Sequence, residues 1–349
     1  MFPAGLPENP GRAKSPASLE GKAPMKTPRF TNLDGSGPVA FGRVFKWAVA
    51  DKLAGRRRKS PANADVPRVD ADVQLLSHPP QKGEGARLTW IGHASWLVQL
   101  DGVSLLIDPV LSESIPGFIH RNVPPGVPLD FLPAVDAQLV SHNHYDHLDM
   151  PTVRRVGARV IAGKGNARHF AGAPFRCDEL SWWESTRVGD VTVHFVPSQH
   201  WSRRGVNDAN ESLWGGFVIE GSSARLYHSG DTAYFNGFKE IGQRFPDLDA
   251  AMLPIGAYDP EWFMLNQHMN PEQAVQSFVD LRARTFLAMH WGTFKLTDEP
   301  LDEPPRRLDA EWTRRGLPRQ EMRILAVGES VTVKSAQAGR GTDAAARPS

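Results

Sequence analysis

This chain of 349 residues has a single cysteine, no marked excess of either charge and no long apolar run. Cys177 is its one cysteine, which excludes an internal disulfide framework and a cysteine-rich metal site. Basic residues number 40 and acidic residues 39, so there is no general electrostatic footprint for nucleic acid, and we expect no nucleic-acid partner. No apolar run approaches the roughly 18 residues of a membrane span, and no secretory signal is visible. These absences predict a cytoplasmic protein.

Composition divides the chain into two tails, an arm and one main domain. Residues 1–28 contain six prolines and three glycines and few large apolar side chains, which predicts a disordered tail. Residues 334–349 are small and polar and are also predicted to be a disordered tail. Between the tails, we expect an N-terminal amphipathic and basic arm at 29–62 and the main domain at 63–333.

Within the arm, residues 41–59 have an apolar stripe at helical spacing and a basic end. The stripe consists of Phe41, Val44, Phe45, Ala48, Val49 and Leu53. Arginine or lysine occupies every position from 56 to 59. Two hypotheses fit this pattern: an arm packed on the main domain with its basic end in solvent, or a helix lying on an anionic membrane surface.

The main domain is rich in strands at first and alternates strands with helices later. Nine short runs fit β-strands: 88–91, 95–100, 103–107, 137–141, 191–197, 215–219, 224–228, 250–254 and 285–289. Asp101-Gly102 predicts a hairpin turn. Asn270-Pro271 predicts the start of a helix with the stripe Ala274, Val275, Phe278 and Val279, and another helix is expected near Met150. Two sheets covered by helices are the natural arrangement.

A cluster of potential metal ligands follows the strand at 137–141. Three histidines and an aspartate fall within six positions, namely His142, His144, Asp146 and His147. Three more candidates each follow a predicted strand: His200, Asp231 and His290. Imidazole and carboxylate are ligands that zinc prefers, and strand ends can bring them to one crevice. A histidine-rich polar surface loop is the alternative, but such clusters usually bind metal.

The order of these motifs resembles the metallo-β-lactamase superfamily. The segments 89–95 (TWIGHAS), 267–272 (QHMNPE) and 290–294 (HWGTF) are similar to the branch that contains N-acyl-phosphatidylethanolamine phospholipase D and its bacterial relatives. The resemblance runs from about residue 29 to 333. It implies an α/β fold, a four-layer αββα sandwich with two central β-sheets flanked by helices, in which 63–333 is the catalytic domain.

Residue by residue, the resemblance implies a site for two zinc ions. One ion would be held by His142, His144 and His200, the other by Asp146, His147 and His290, and Asp231 would bridge them. Nitrogen and oxygen ligands suit iron or manganese as well. Asp146 is also a catalytic candidate, because it can orient the attacking hydroxide and take up its proton. Cys177 matches no ligand position, which argues against β-lactamase activity.

Four further residues are candidates for the substrate site. The resemblance places His268 and Gln267 in the substrate pocket, His268 as a phosphate contact or as proton donor to the leaving oxygen. A histidine satisfied by local hydrogen bonds is the alternative. Trp201 and Trp262 are predicted to line an acyl-chain groove or to form a lip that rests on a bilayer. The aromatic run 261–265 fits a protein core equally well. We expect His93 to support the site from beneath.

The leading hypothesis is a di-zinc phosphodiesterase of phospholipase D type. It would hydrolyse N-acyl-phosphatidylethanolamine-like phospholipids through a metal-bridging hydroxide, with peripheral contact to the inner face of a membrane, as a monomer or a homo-oligomer. One alternative is a lactonase or a hydrolase of small phosphorylated metabolites, which predicts a basic pocket; Arg203 and Arg204 can supply basic character in either case. A further alternative is a metal-binding module without turnover.

Overall fold

The computed structural model describes residues 29–37, 42–43 and 46–335. The tail predicted at 1–28 and all but the first two residues of the tail at 334–349 lie outside these residues. So do Phe41, Val44 and Phe45 of the predicted apolar stripe.

The described residues form sixteen strands and six α-helices. The strands are β1 (Ala86–Gly92), β2 (Ser95–Leu100), β3 (Val103–Ile107), β4 (Ser114–Ile115), β5 (Ile119–His120), β6 (Ala137–Val140), β7 (Arg159–Gly163), β8 (Cys177–Leu180), β9 (Ser185–Val188), β10 (Val191–Val196), β11 (Gly216–Glu220), β12 (Arg225–His228), β13 (Ala250–Pro254), β14 (Phe286–Met289), β15 (Met322–Arg323) and β16 (Ser330–Val333). The helices are α1 (Val73–Leu76), α2 (Met150–Val156), α3 (Gly237–Arg244), α4 (Glu261–Met264), α5 (Pro271–Leu281) and α6 (Glu303–Arg314). Short 3-10 turns cover Leu129–Phe131, Ala167–Phe170 and Arg319–Glu321, and a π-helical turn covers Lys46–Asp51.

Two mixed seven-stranded sheets form the centre of the molecule. The first has the order β16-β1-β2-β3-β6-β7-β8 and the second β15-β14-β13-β12-β11-β10-β9. In the first sheet, β3, β6, β7 and β8 run parallel. In the second, β12 to β15 run parallel and β9 to β12 antiparallel. The predicted hairpin joins β2 to β3, and Asp101 and Gly102 both have positive φ, of 51° and 77°, as a tight two-residue turn requires.

Apolar side chains from both sheets pack into one core. Trp90 and Trp96 of the first sheet and Phe195 and Phe217 of the second are fully buried members of this core. Burying such large rings removes much apolar surface from water, which is the main force holding the two sheets together.

Helices cover the outer face of each sheet. On the first sheet, Leu76 of α1 and Val153 of α2 are buried in two separate apolar clusters with strand residues. On the second, the ring of Trp312 from α6 lies 5.1 Å from Phe278 of α5 and 5.7 Å from Phe286 of β14. The predicted αββα sandwich is therefore confirmed.

Helix α5 begins where the sequence predicted. The Asn270 side chain accepts a hydrogen bond from the Gln273 amide at 2.9 Å, and the Gln273 side chain accepts one from the Asn270 amide at 3.4 Å, which forms a capping box. Ala274, Val275 and Phe278 are buried as expected, but Val279 is 42% exposed. Including Val279 in the apolar stripe was wrong, because one residue further along a helix turns the side chain by about 100°.

The described part of the arm lies against the sandwich. Arg57 donates to Asp298 at 2.8 Å, and Arg58 forms an ion pair with Glu303. The packed-arm hypothesis placed this basic end in solvent. Three of its four basic residues instead pair with carboxylates, since Arg56 also lies 3.6 Å from Asp51. No helix within 29–37, 42–43 and 46–335 combines the length and the apolar character needed to cross a bilayer.

Candidate metal centre

The strands place the predicted ligands at one edge of the sandwich. β6 leads into the segment with His142, β10 leads to His200, β12 to Asp231 and β14 to His290. Within the second sheet, β10, β12 and β14 all run in the same direction, so their carboxyl ends lie at the same edge. Both sheets therefore contribute residues to one cluster.

Three histidine rings converge on one side of the cluster. His142 Nε2 lies 2.8 Å from His144 Nδ1, which lies 3.3 Å from His200 Nε2. Three imidazole nitrogens facing one point form an arrangement that can hold a divalent cation such as zinc.

A second group of ligands lies beside the first. The Asp146 carboxylate is 3.7 Å from Nε2 of His147 and 3.7 Å from Nε2 of His290. Between the groups, Asp231 Oδ2 lies 3.9 Å from His142, 3.8 Å from His200 and 3.1 Å from His147. Asp231 is therefore within reach of both groups, as a bridging ligand must be.

Several buried polar atoms at the centre have no hydrogen-bond partner. They include Nε2 of His147, both ring nitrogens of His290 and Oδ1 of Asp231. The 3.1 Å contacts of Asp231 with His147 and His290 are ion pairs without hydrogen-bond geometry. Because buried polar groups are normally satisfied, these atoms require a ligand that the protein itself does not supply. Divalent cations bind neutral imidazole and ionised carboxylate, so the residues present fit a metal centre.

Asp108 supports the cluster from behind. Its Oδ2 accepts hydrogen bonds from His147 Nδ1 at 2.7 Å and from the Ser141 hydroxyl at 2.6 Å, and its Oδ1 accepts one from the Ser141 amide at 2.7 Å. The hydrogen bond at Nδ1 leaves Nε2 of His147 available to bind a metal ion. A carboxylate commonly orients a metal-binding histidine in this way. On the other side, His200 Nδ1 donates to the carbonyl oxygen of Gln267 at 2.8 Å.

His93 contacts a candidate ligand directly. Its Nε2 donates to Asp146 Oδ2 at 3.0 Å, and its carbonyl oxygen accepts from the His290 amide at 2.9 Å. The histidine also has a positive φ of 54°, which is uncommon for a residue other than glycine. These contacts agree with the expected supporting role.

Burial and neighbouring charges set the protonation of the cluster. Burial lowers the pKa of His144 to about 3 and that of His200 to about 4, so both rings are neutral and able to bind metal. Burial alone would lower the pKa of His147 as well. The carboxylates of Asp231, Asp146 and Asp108 outweigh it and raise that pKa well above the ordinary value. Burial favours a protonated Asp231, yet His147 and His290 hold its pKa well below the usual range.

A cavity of about 500 Å³ opens over the candidate metal ligands. His144, Asp146 and Asp231 lie in its lining. Much of the remaining wall is apolar and consists of Trp47, Ile115, Ile119, Phe263, Met264 and Leu296. The cavity has the size and apolar character of a small-molecule site.

Three of the four predicted substrate contacts line this cavity. His268 is buried with Nδ1 3.8 Å from Asp231 Oδ2, and the Oε1 of Gln267 has no partner. The Trp201 ring centroid is 4.6 Å from that of His144. Trp262, by contrast, does not line the cavity: it is 42% exposed, with Lys46 Nζ 4.1 Å from its ring.

The two arginines after Ser202 have different surroundings. Arg204 donates to the carbonyl oxygens of Asn143 and Leu148 at 3.0 and 2.8 Å and therefore braces the ligand segment. Arg203 lines the cavity.

Sequence reasoning missed two residues of this region. Asp108 was not among the candidates, although an aspartate directly after the predicted strand at 103–107 was a usable signal. Trp47 gave no signal, because its contact with the cavity depends on how the arm folds back onto the main domain.

Comparison with known proteins decides the family. A model described as the beta-lactamase superfamily domain matches residues 104–291. The chain belongs to the metallo-β-lactamase superfamily. It is a metal-dependent hydrolase of that superfamily, and its fold is the one that the sequence resemblance implied.

The chain is similar to several known proteins, of which two relatives and one solved structure are examples. The chain is 36% identical over 251 residues to N-acyl-phosphatidylethanolamine-hydrolyzing phospholipase D 1 of Caenorhabditis elegans, covering 65% of this chain and 70% of that relative. It is 30% identical over 252 residues to a metal-dependent hydrolase of Opitutus terrae, covering 71% of this chain and 100% of the relative. Isothiocyanate hydrolase from Delia radicum gut bacteria has a TM-score of 0.58 at 22% identity, over 71% of this chain and 99% of that one, which shows a shared fold.

Proposed function

We propose that the chain is a di-zinc phosphodiesterase of phospholipase D type that hydrolyses N-acyl-phosphatidylethanolamine-like phospholipids. One observation carries the proposal: a single cavity has candidate metal ligands in its lining and a largely apolar wall. Such a cavity can receive a phosphodiester and an attached hydrocarbon chain together. The similarity to the phospholipase D of Caenorhabditis elegans supports the same substrate class.

The character of the lining favours a lipid over a small phosphorylated metabolite. A metabolite with several phosphate charges requires a basic pocket, whereas Arg203 is the one lysine or arginine among the described residues that line the cavity. Its aromatic and aliphatic side chains match hydrocarbon instead, since removing apolar surface from water on both sides stabilises the complex.

The reaction breaks the bond between phosphorus and the oxygen of the N-acylethanolamine group. A water-derived hydroxyl becomes attached to phosphorus, and the remaining proton of that water ends on the leaving oxygen. The products are phosphatidic acid and an N-acylethanolamine. When bound, two divalent ions supply Lewis acidity and lower the pKa of water.

The chain's own residues orient the reacting groups. Asp146, held by His93 at 3.0 Å, orients the attacking water and accepts its proton. His268, in the lining and 3.8 Å from Asp231, donates a hydrogen bond to a phosphate oxygen or a proton to the leaving oxygen. Trp201 packs beside His144 and limits the access of bulk water.

A substrate comparison tests this proposal. Purified, zinc-loaded protein is given N-acyl-phosphatidylethanolamine in mixed micelles, a chromogenic phosphodiester and a simple lactone, and the products are identified by mass spectrometry. We expect phosphatidic acid from the lipid, with a kcat/KM above that for the other two substrates. Cleavage of the chromogenic diester without phosphatidic acid would reject the lipid substrate, and preferential opening of the lactone would favour the lactonase alternative.

A further inference from the structure

The N-terminal arm supplies an aromatic side chain to the wall of the cavity. Trp47 lies in the π-helical turn Lys46–Asp51, and its ring stacks on Phe263 with centroids 5.5 Å apart and planes 24° from parallel. Both rings line the cavity that also includes the candidate ligands His144 and Asp231. An aromatic pair in this arrangement forms a rigid apolar surface.

Polar contacts fix the orientation of this indole. Trp47 Nε1 donates to Asp298 Oδ2 at 3.1 Å, and Arg57 Nε donates to Asp298 Oδ1 at 2.8 Å. The Arg57 guanidinium carbon also lies 4.3 Å from the centroid of the Trp47 ring. One carboxylate, only 3% exposed, therefore binds the arm at two positions that are ten residues apart.

The other apolar walls complete a surface suited to hydrocarbon. Ile115 and Ile119 come from the short β4–β5 pair, and Leu296 comes from the segment that also carries Asp298. None of these side chains offers a hydrogen bond, so a polar group placed against them would lose its water without replacement. A saturated or mono-unsaturated hydrocarbon chain gives up no hydrogen bonds to water when it lies against these side chains, and it gains van der Waals contact with the indole face.

We propose that Trp47 is a specificity-determining residue that contacts the long N-acyl chain of the phospholipid substrate, with Asp298 and Arg57 as the residues that position it. The inference rests on the proposed function. It adds that the arm, through Trp47, makes the protein select substrates by the length of their N-acyl chain. Trp47 precedes β1 in the chain, so the arm, and not a strand of the two central sheets, would make this selection.

A chain-length comparison tests the role of Trp47. Zinc-loaded wild type, Trp47→Ala and Trp47→Phe are assayed in mixed micelles with N-hexadecanoyl- and N-butanoyl-phosphatidylethanolamine, and with a small chromogenic phosphodiester. For Trp47→Ala we expect KM for the long-chain lipid to rise about tenfold, as loss of the indole contact implies. KM for the short-chain lipid and for the small diester should rise far less. Trp47→Phe keeps an aromatic surface and should restore most of the affinity.

A matched control and a binding measurement separate specificity from structure. Leu53→Ala alters an arm side chain that is 84% exposed and outside the cavity lining, and it should leave KM for both lipids at the wild-type value. Isothermal titration calorimetry then measures the affinity of metal-free protein for N-hexadecanoylethanolamine. In Trp47→Ala this affinity should fall by about the factor by which KM for the long-chain lipid rises.

Two results would overturn the inference. Equal losses on the long-chain lipid, the short-chain lipid and the small diester would make Trp47 a general structural residue. Unchanged KM and unchanged binding of the ethanolamide would remove it from the substrate site. If wild-type protein cleaves the small diester but neither lipid, the proposed function itself fails, and the calorimetric comparison still decides whether Trp47 contacts an acyl chain.

Discussion

Asp108 is not a candidate metal ligand, but it positions one. It accepts three hydrogen bonds, two from Ser141 and one from His147, and so it holds both the start of the ligand segment and one ligand ring. Partners of this kind fix the tautomer of a metal-binding histidine. The affinity of the centre for metal therefore depends on residues behind the ligands.

Replacing Asp108 by Asn should weaken metal binding without removing a ligand. The asparagine side chain has one acceptor oxygen, and its NH₂ group cannot accept, so it cannot satisfy all three donors on His147 and Ser141. We therefore expect metal affinity to fall by roughly 10–100-fold, measured by competition with a chromogenic chelator. Asp136→Asn is the matched control, because Asp136 accepts a hydrogen bond from the Ser104 amide in the same sheet but lies away from the cluster. An equal loss in both variants would show a general effect on the sheet.

Cys177 provides a prediction about reactivity and pH. Burial, helped by the carboxylates of Glu179 and Asp178, raises the pKa of its thiol to about 12. A raised thiol pKa leaves very little of the reactive thiolate at about pH 8. Ellman's reagent should therefore label the native protein slowly and the unfolded protein fast, with native labelling accelerating only as the pH approaches the raised pKa. Fast native labelling at about pH 8 would contradict this assignment.

At the scale of elements, α5 connects local sequence to the cavity. Its capping residue Asn270 follows His268 by two positions, and the Asn270 side chain also donates to Glu261 of α4 at 3.2 Å. Helix α4 in turn supplies Phe263 and Met264 to the cavity wall. The start of α5 thus fixes both a candidate catalytic side chain and part of the apolar wall.

Loss of the helix cap should lower the stability of the whole domain. Asn270→Ala removes the side-chain acceptor for the Gln273 amide, which is expected to reduce the free energy of unfolding by about 1 kcal/mol, measured by urea denaturation. Val279→Ala changes an exposed position of the same helix and should stay within about 0.5 kcal/mol of wild type. If the two variants are equally stable, the capping box does not contribute.

Elements with strong local signals were predictable from sequence, and the others were not. The β-prone runs at β2 and β3 had the right type and bounds, and helix α5 begins at the predicted Asn-Pro start. Helix α6 was missed because its sequence is dominated by charge and proline, with Leu308 and Trp312 among its few buried apolar side chains. Edge strands such as β8 and β9 were missed because only one of the four residues in each is buried.

The direction of side chains within short elements could not be predicted from the sequence either. The aromatic run 261–265 was predicted to contribute Trp262 to an acyl groove. The single turn of α4 directs Phe263 and Met264 into the cavity wall and leaves Trp262 outside it. A four-residue helix has too few positions for its apolar face to be identified by periodicity.

For the whole molecule, the metal centre joins the two halves of the sandwich. His142, His144, Asp146 and His147 follow a strand of the first sheet, whereas His200, Asp231 and His290 follow strands of the second. Ligands from both sheets are brought together only in the folded state. Metal bound there must therefore stabilise the fold by mass action.

Removing metal should lower the melting temperature of the whole domain. At free zinc a thousandfold above Kd, bound metal contributes about 4 kcal/mol per site, so dialysis against a chelator should lower Tm by several degrees, and zinc should restore it. Differential scanning calorimetry measures the shift. His144→Ala should show a smaller difference between zinc-loaded and metal-free samples, and an identical difference would mean that the stabilising zinc binds elsewhere.

The central claim is that this cluster hydrolyses the phosphorus–oxygen bond of an N-acylated phospholipid, and heavy-oxygen water tests it most directly. Zinc-loaded protein is incubated with N-acyl-phosphatidylethanolamine in water enriched in the heavy oxygen isotope, and both products are analysed by mass spectrometry. We predict one labelled oxygen in phosphatidic acid, an unlabelled N-acylethanolamine, and loss of both products with chelator and in Asp231→Ala. Label in the ethanolamide, or release that persists without metal, would contradict the account.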